Sequence, residues 1–140
     1  MSESKNPVSI FNNELKTLAR IYKFKKKGTF DEADAHRDYT RVNMLIKSDS
    51  TFMINIIGPY LVRYGESIQN NDIDELINTN YDEEKKNITN SDDIDKINKE
   101  LKFVKDVISE STKNEKNKIC DILSNMLNNY CLYELQCRGY

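Results

Sequence analysis

Two stretches of this chain carry apolar side chains once per helical turn, and that spacing restricts the fold more than any other feature. Val8, Phe11, Leu15, Leu18 and Tyr22 step by three, four, three and four residues. Ile94, Ile97, Leu101, Val104 and Ile108 repeat those steps. Such steps place every apolar group on one side of an α-helix, which must then be covered by another element. The spacing predicts an all-α fold.

Local signals place the helix ends. Asn6 can cap the first helix, and Pro7 suits its first position because the missing N–H would find no partner there. Lys25, Lys26 and Lys27 favour the negative end of the helix dipole, and Gly28 can close the helix in a left-handed turn. Thr29-Phe30-Asp31-Glu32 spells a capping box for a second helix, with Ala35, Tyr39, Val42 and Ile46 inward. Ser48-Asp49-Ser50 breaks and recaps. The nearly all-apolar segment from Thr51 to Ile57 should be central, and Gly58-Pro59 should interrupt it. Leu61, Tyr64 and Ile68 form a fourth segment, and Asp72 caps a short piece with Ile73, Leu76 and Ile77.

Residues 82–91 are charged and Asn-bearing and read as a surface loop or linker. Ser91 then opens a long helix. Thr112 and Glu115 form a second capping box before a last helix with Ile119, Leu123, Met126, Tyr130 and Tyr133. The expected architecture is one domain over residues 1–140, an irregular bundle of five to seven helices ending in a C-terminal antiparallel helix hairpin. The chain holds four glycines, none after Asn or Asp, and two prolines. That is too little turn chemistry for a multi-stranded sheet or a glycine-lined phosphate loop.

Cys120, Cys131 and Cys137 are odd in number, and their spacing fits no zinc site. They read as free thiols in a reducing, cytoplasmic compartment. The N-terminal residues lack a secretory pattern, and the best apolar run, Phe52 to Val62, is too short for a membrane span.

Two strings imitate catalytic motifs. Asp31-Glu32-Ala33-Asp34 spells a helicase tetrad, but no buried strand or phosphate loop precedes it. His36-Arg37-Asp38 with Asn43 matches a kinase catalytic loop, but the other kinase elements are missing. His36 is the sole histidine and has no nucleophile at a diagnostic spacing. No catalytic, cofactor-binding or metal-binding residue is assigned, and an enzyme is the least supported class.

The charge is uneven. Residues 1–50 hold ten Lys/Arg against seven Asp/Glu, and residues 51–140 hold eleven against sixteen. Lys16, Arg20, Lys23 and Lys27 share one helix face, with Lys25, Lys26, Tyr22 and Phe24 close by. Such a stripe can contact phosphates, although charge runs are usually solvated faces. Eight tyrosines without a tryptophan also suit an interface.

The run Phe52-Met53-Ile54-Asn55-Ile56-Ile57-Gly58-Pro59-Tyr60, continuing to Tyr64, Ile68, Asp72, Leu76 and Tyr81, resembles a stretch recurring in small proteins of nucleocytoplasmic large (giant) DNA viruses. The resemblance transfers no site. It implies a viral protein of the host-cell cytoplasm or the virion. The expected function is a non-enzymatic interaction protein, a structural or accessory subunit with a protein partner or a homo-oligomeric state. One alternative is a nucleic-acid-associated factor using residues 16–27. Another is a viral Bcl-2-like signalling modulator, which requires a groove for a partner helix.

Overall fold

The apolar stripe of the first helix becomes the floor on which the rest of the chain is laid. The computed structural model describes residues 6–78 and 91–137, and among these every regular element is helical. Six α-helices follow in order: α1 Pro7–Lys25, α2 Glu32–Ser48, α3 Phe52–Arg63, α4 Gly65–Gln69, α5 Ser91–Ser109 and α6 Lys113–Cys137. A 3-10 helix, Ile73–Asn78, lies between α4 and α5. The expected bundle of five to seven helices is therefore present. The surface loop assigned to residues 82–91 lies outside the described residues except for Ser91, the first residue of α5.

α1 begins as its sequence predicts: the Asn6 side-chain oxygen accepts the Val8 N–H at 3.0 Å, and Pro7 follows. Gly28 adopts φ +81°, a left-handed conformation open to a residue without Cβ. The turn after it differs from a simple capping box. Glu32 reaches back to the Gly28 N–H at 3.0 Å, while the Thr29 N–H donates to the Lys26 carbonyl. The box is displaced because the tight turn takes the Thr29 donor first. The second box forms as spelled: Glu115 accepts from the Thr112 N–H at 2.8 Å, and Thr112 Oγ1 accepts from the Glu115 N–H at 3.3 Å.

α3 corrects one expectation. The helix runs through Gly58-Pro59 to Arg63. Proline at position 59 removes the bond to the Asn55 carbonyl, but both residues face solvent, where water can serve that carbonyl. Gly58 serves packing rather than breaking. A Cβ there would lie 2.1 Å from Cδ1 of Tyr130, so α3 and α6 meet backbone against ring.

The core joins Phe11, Leu15 and Leu18 of α1, Val42 of α2, Ile54, Ile57, Tyr60 and Leu61 of α3, Leu101, Val104 and Ile108 of α5, and Ile119, Leu123 and Met126 of α6. Each such buried aliphatic side chain contributes roughly 1.5–3 kcal/mol. The Tyr60 hydroxyl donates to the Leu76 carbonyl at 3.1 Å, anchoring the 3-10 helix. Cys120 is buried, its thiol donating to the Ile68 carbonyl at 3.0 Å, whereas Cys131 and Cys137 are exposed.

The C-terminal hairpin is also corrected. α5 and α6 are consecutive, but the long seam of the molecule runs between α1 and α6. Lys25 meets Glu115 and Glu14 meets Asn125, so that seam is antiparallel. α5 packs chiefly on α3 and the 3-10 helix. The physical reason lies at the fork after α5. Tyr22 of α1 enters it, bonding Glu110 and meeting the Phe103 ring edge-on at 6.1 Å, so α1 and α3 wedge the two helices apart. No helix among the described residues is long and apolar enough to cross a membrane.

Candidate functional site

The basic stripe of α1 does not stay together. Lys26 turns inward, only 8% exposed, and its Nζ binds Glu110 and lies 3.4 Å from Asp31. It also sits 5.6 Å from the centroid of the Tyr22 ring. Lys25 Nζ donates to Glu115 Oε1 at 2.6 Å, and this hydrogen bond leads the causes that hold the Glu115 carboxyl below its usual range. These two cations fasten α1 to the acidic groups flanking the α5–α6 connection. Lys16 is half-buried, lies farther back along α1, and does not line the cleft described next.

Arg20, Lys23 and Lys27 face the other way. With Phe24 of the same helix and Glu32, His36 and Tyr39 of α2, they line a cleft of about 350 Å³. The antiparallel α1–α2 turn creates it by bringing the first turns of α2 beside the last turns of α1. Lys23 Nζ stands 4.5 Å from the centre of the Tyr39 ring, a cation–π contact that fixes the wall. Glu32 is tied to the Gly28 N–H. Arg20 and Lys27 make no ion pair among the described residues. Phe24 is 69% exposed between them, and Phe30 on the adjoining turn is fully exposed. Beyond Phe24 a shallower depression continues over Thr17 and Ile21 to Lys118 of α6. Sequence reading found the cations and Phe24 but missed Glu32, His36, Tyr39 and Lys118. Tyr39 could have been placed opposite Lys23 by folding the two helices back about Gly28.

A second surface lies where α3 meets α6. Pro59, Val62, Tyr130, Cys131, Glu134 and Leu135 border a shallow depression of about 450 Å³. Val62 and Leu135 are each about half exposed, as is the neighbouring Leu132. Burial first, and Glu134 second, push the Tyr130 hydroxyl up to about 12.

The third concavity, between α2 and α5, is an ion-pair network. Arg41 binds Glu100 through Nε and Nη2, both at 3.1 Å, and also Asp38. Glu100 is 1% exposed, so its carboxylate depends on Arg41, whose side chain stays partly open to solvent. Burial opposes the charge on Arg41, but its bonds to Glu100 and Asp38 outweigh that and raise its pKa. Lys102 binds Asp106 at 2.6 Å, and Arg37 binds Asp34 at 3.2 Å. The two motif-like strings are used up here and in the α1–α2 turn. Asp31 pairs with Lys26, Glu32 caps the turn, Asp38 holds Arg41, and the Asn43 side chain donates to the Tyr39 carbonyl. His36 is exposed at the rim of the basic cleft. Among the described residues no group of three or more His, Cys, Asp or Glu is placed to hold a metal ion.

The chain matches no family model, no curated protein and no solved structure.

Proposed function

We propose that this chain is a non-enzymatic helical interaction protein, a structural or accessory subunit that docks on a protein partner or on copies of itself. The viral resemblance of its Phe52–Tyr81 segment supports a role in infected-cell cytoplasm or in a particle. The observation that carries the reading is the apolar strip where α3 meets α6. Val62 and Leu135, which line it, are left half exposed although the same two helices bury Ile57, Leu61, Leu123 and Met126 completely. Side chains of this kind grouped on one surface favour contact with another macromolecule. Affinity purification from the native source, paired with sedimentation velocity on the pure chain, tests it. The expected result is a partner or a self-associated species that Val62→Asp with Leu135→Asp abolishes while helical content is kept. A clean monomer with no partner, or an association indifferent to those substitutions, overturns it.

A second reading has its own observation. The open half of the basic stripe presents Arg20 and Lys27, which make no ion pair among the described residues, beside an exposed aromatic ring, a surface suited to a nucleic-acid-associated factor. It requires binding that weakens as salt rises, because each neutralised phosphate releases a counterion.

A further inference from the structure

The following inference rests on that second reading and gives it a substrate class. We infer that the cleft between α1 and α2 takes single-stranded nucleic acid, with Arg20 and Lys27 on the phosphodiester backbone and Phe24 as a stacking platform for a base. Three observations carry this. First, Arg20, Lys23 and Lys27 meet only one carboxylate, Glu32, in the cleft, and its side chain is already engaged by the Gly28 N–H. Locally the charge is positive although the whole chain carries −2. Second, Arg20 lies five residues before the end of α1, about 7.5 Å along the axis, and Lys27 lies two residues past that end. They do not converge on one point, as a pocket for a lone phosphate would require. They line a track. Third, the ring midway along that track is 69% exposed and is not among the apolar groups packed on the core.

An exposed ring flanked by cations selects unstacked bases. In a duplex the base faces are covered by their neighbours, so Phe24 could touch only sugar and phosphate. In a single strand every base offers a free face, and stacking on an aromatic side chain tolerates any sequence. Tyr39 is unavailable as a second platform because its ring already holds Lys23.

The test is fluorescence anisotropy with a labelled oligothymidylate of about 15 nucleotides. The same probe annealed to its complement serves for comparison, and salt is varied from about 50 to 200 mM. The single strand is expected to bind more tightly than the duplex. Phe24→Ala should weaken the single strand about tenfold and leave duplex binding unchanged. Arg20→Gln with Lys27→Gln should reduce the slope of log affinity against log salt by about 1.4, roughly 0.7 for each lost contact. Lys25→Gln should leave that slope unchanged, because Lys25 is engaged by Glu115. All four positions are exposed or part-exposed on the last turns of α1 or just past its end, and far-ultraviolet circular dichroism verifies folding. Equal affinity for duplex and single strand with Phe24→Ala silent overturns the inference and leaves the second reading standing. Equal competition by polyglutamate also overturns it, in favour of an acidic protein ligand. Absence of binding to either nucleic acid at the lowest salt removes both.

Discussion

Replacing Gly58 by Ala tests the packing of the α3 backbone against the Tyr130 ring of α6. In an unconstrained helix interior this substitution stabilises by about 1 kcal/mol, because Ala gives up less backbone entropy than Gly. Here the new methyl would lie 2.1 Å from Cδ1, 2.4 Å from Cε1 and 2.6 Å from Cγ of Tyr130. Cγ is the root of the ring, so turning the ring about its own axis leaves that contact in place. Either Tyr130 leaves its rotamer, exposing a ring now 9% accessible, or α3 and α6 separate. Overpacking of this kind costs typically about 1–3 kcal/mol. With the contact below any normal distance we take the upper value. The net effect is a destabilisation of about 2 kcal/mol, or roughly 8 °C in Tm for a chain of this size. Urea denaturation followed by circular dichroism reads it, and Tyr130→Ala supplies the control. Once the ring is gone the methyl meets open space, and Gly58→Ala should turn stabilising by about 1 kcal/mol. The coupling between the two positions is then about 3 kcal/mol. A parent chain stabilised by Gly58→Ala, or a cycle in which the effects simply add, refutes the packing argument.

Three further outcomes follow from the same structure. Arg41→Ala strands the Glu100 carboxylate, 1% exposed, without its guanidinium, and should destabilise by about 3–5 kcal/mol in chemical denaturation. Adding Glu100→Leu should recover much of that loss. Thr112→Ala removes the acceptor for the Glu115 N–H and should cost about 1 kcal/mol, with amide exchange of Glu115 accelerating first. Burial, with nearby Asp106 and Asp38 adding to it, raises the Tyr22 hydroxyl from 10.0 to about 12, and burial with Glu134 does the same for Tyr130. A raised folded pKa means that the folded state holds its proton longer than the unfolded one. The stability tied to these protons is complete below pH 10 and declines as pH rises toward 12. Spectrophotometric titration should show a late phase toward pH 12 that comes together with unfolding. Ionisation of all tyrosines in one step near the ordinary value, with the fold intact, counts against it.

Helix positions were legible because their signals are local. Asn6-Pro7 and Thr112/Glu115 each specify a helix start within four residues, and the structure uses both as spelled. What failed depended on the third dimension. Pro59 read as a break because proline removes a donor, but the harm depends on whether the orphaned carbonyl faces water, and at the exposed Asn55 it does. The apolar run on both sides of Gly58-Pro59, broken only by Asn55, was the available signal that one helix spans it. The three-residue link between α5 and α6 suggested a packed hairpin, since short links usually join neighbours. Link length restricts where the ends meet, not what enters between them. Tyr22, more than eighty residues earlier in sequence, enters that fork, and no local pattern announces it.

The division of the α1 cations is the instructive intermediate case, because helical arithmetic would have found it. Each residue turns about 100° around the axis. Taking Lys16 as zero, Phe11, Leu15, Leu18 and Tyr22 cluster between about 200° and 260°, which fixes the direction of the core. Arg20, Lys23 and Lys27 fall within about 40° of Lys16, on the opposite side. Lys25 and Lys26 fall at about 180° and 280°, one on each shoulder of the apolar stripe. A long amine on a shoulder can lie along the packed seam and reach the next helix, as Lys25 does with Glu115 and Lys26 with Glu110. A cation opposite the core has no neighbouring helix of the bundle to reach, except where the chain folds α2 back against it. Counting six positive charges on one helix therefore overstates the surface available to an anion. The wheel separates the cations that hold the bundle together from those left to bind, and the salt slope counts only the latter.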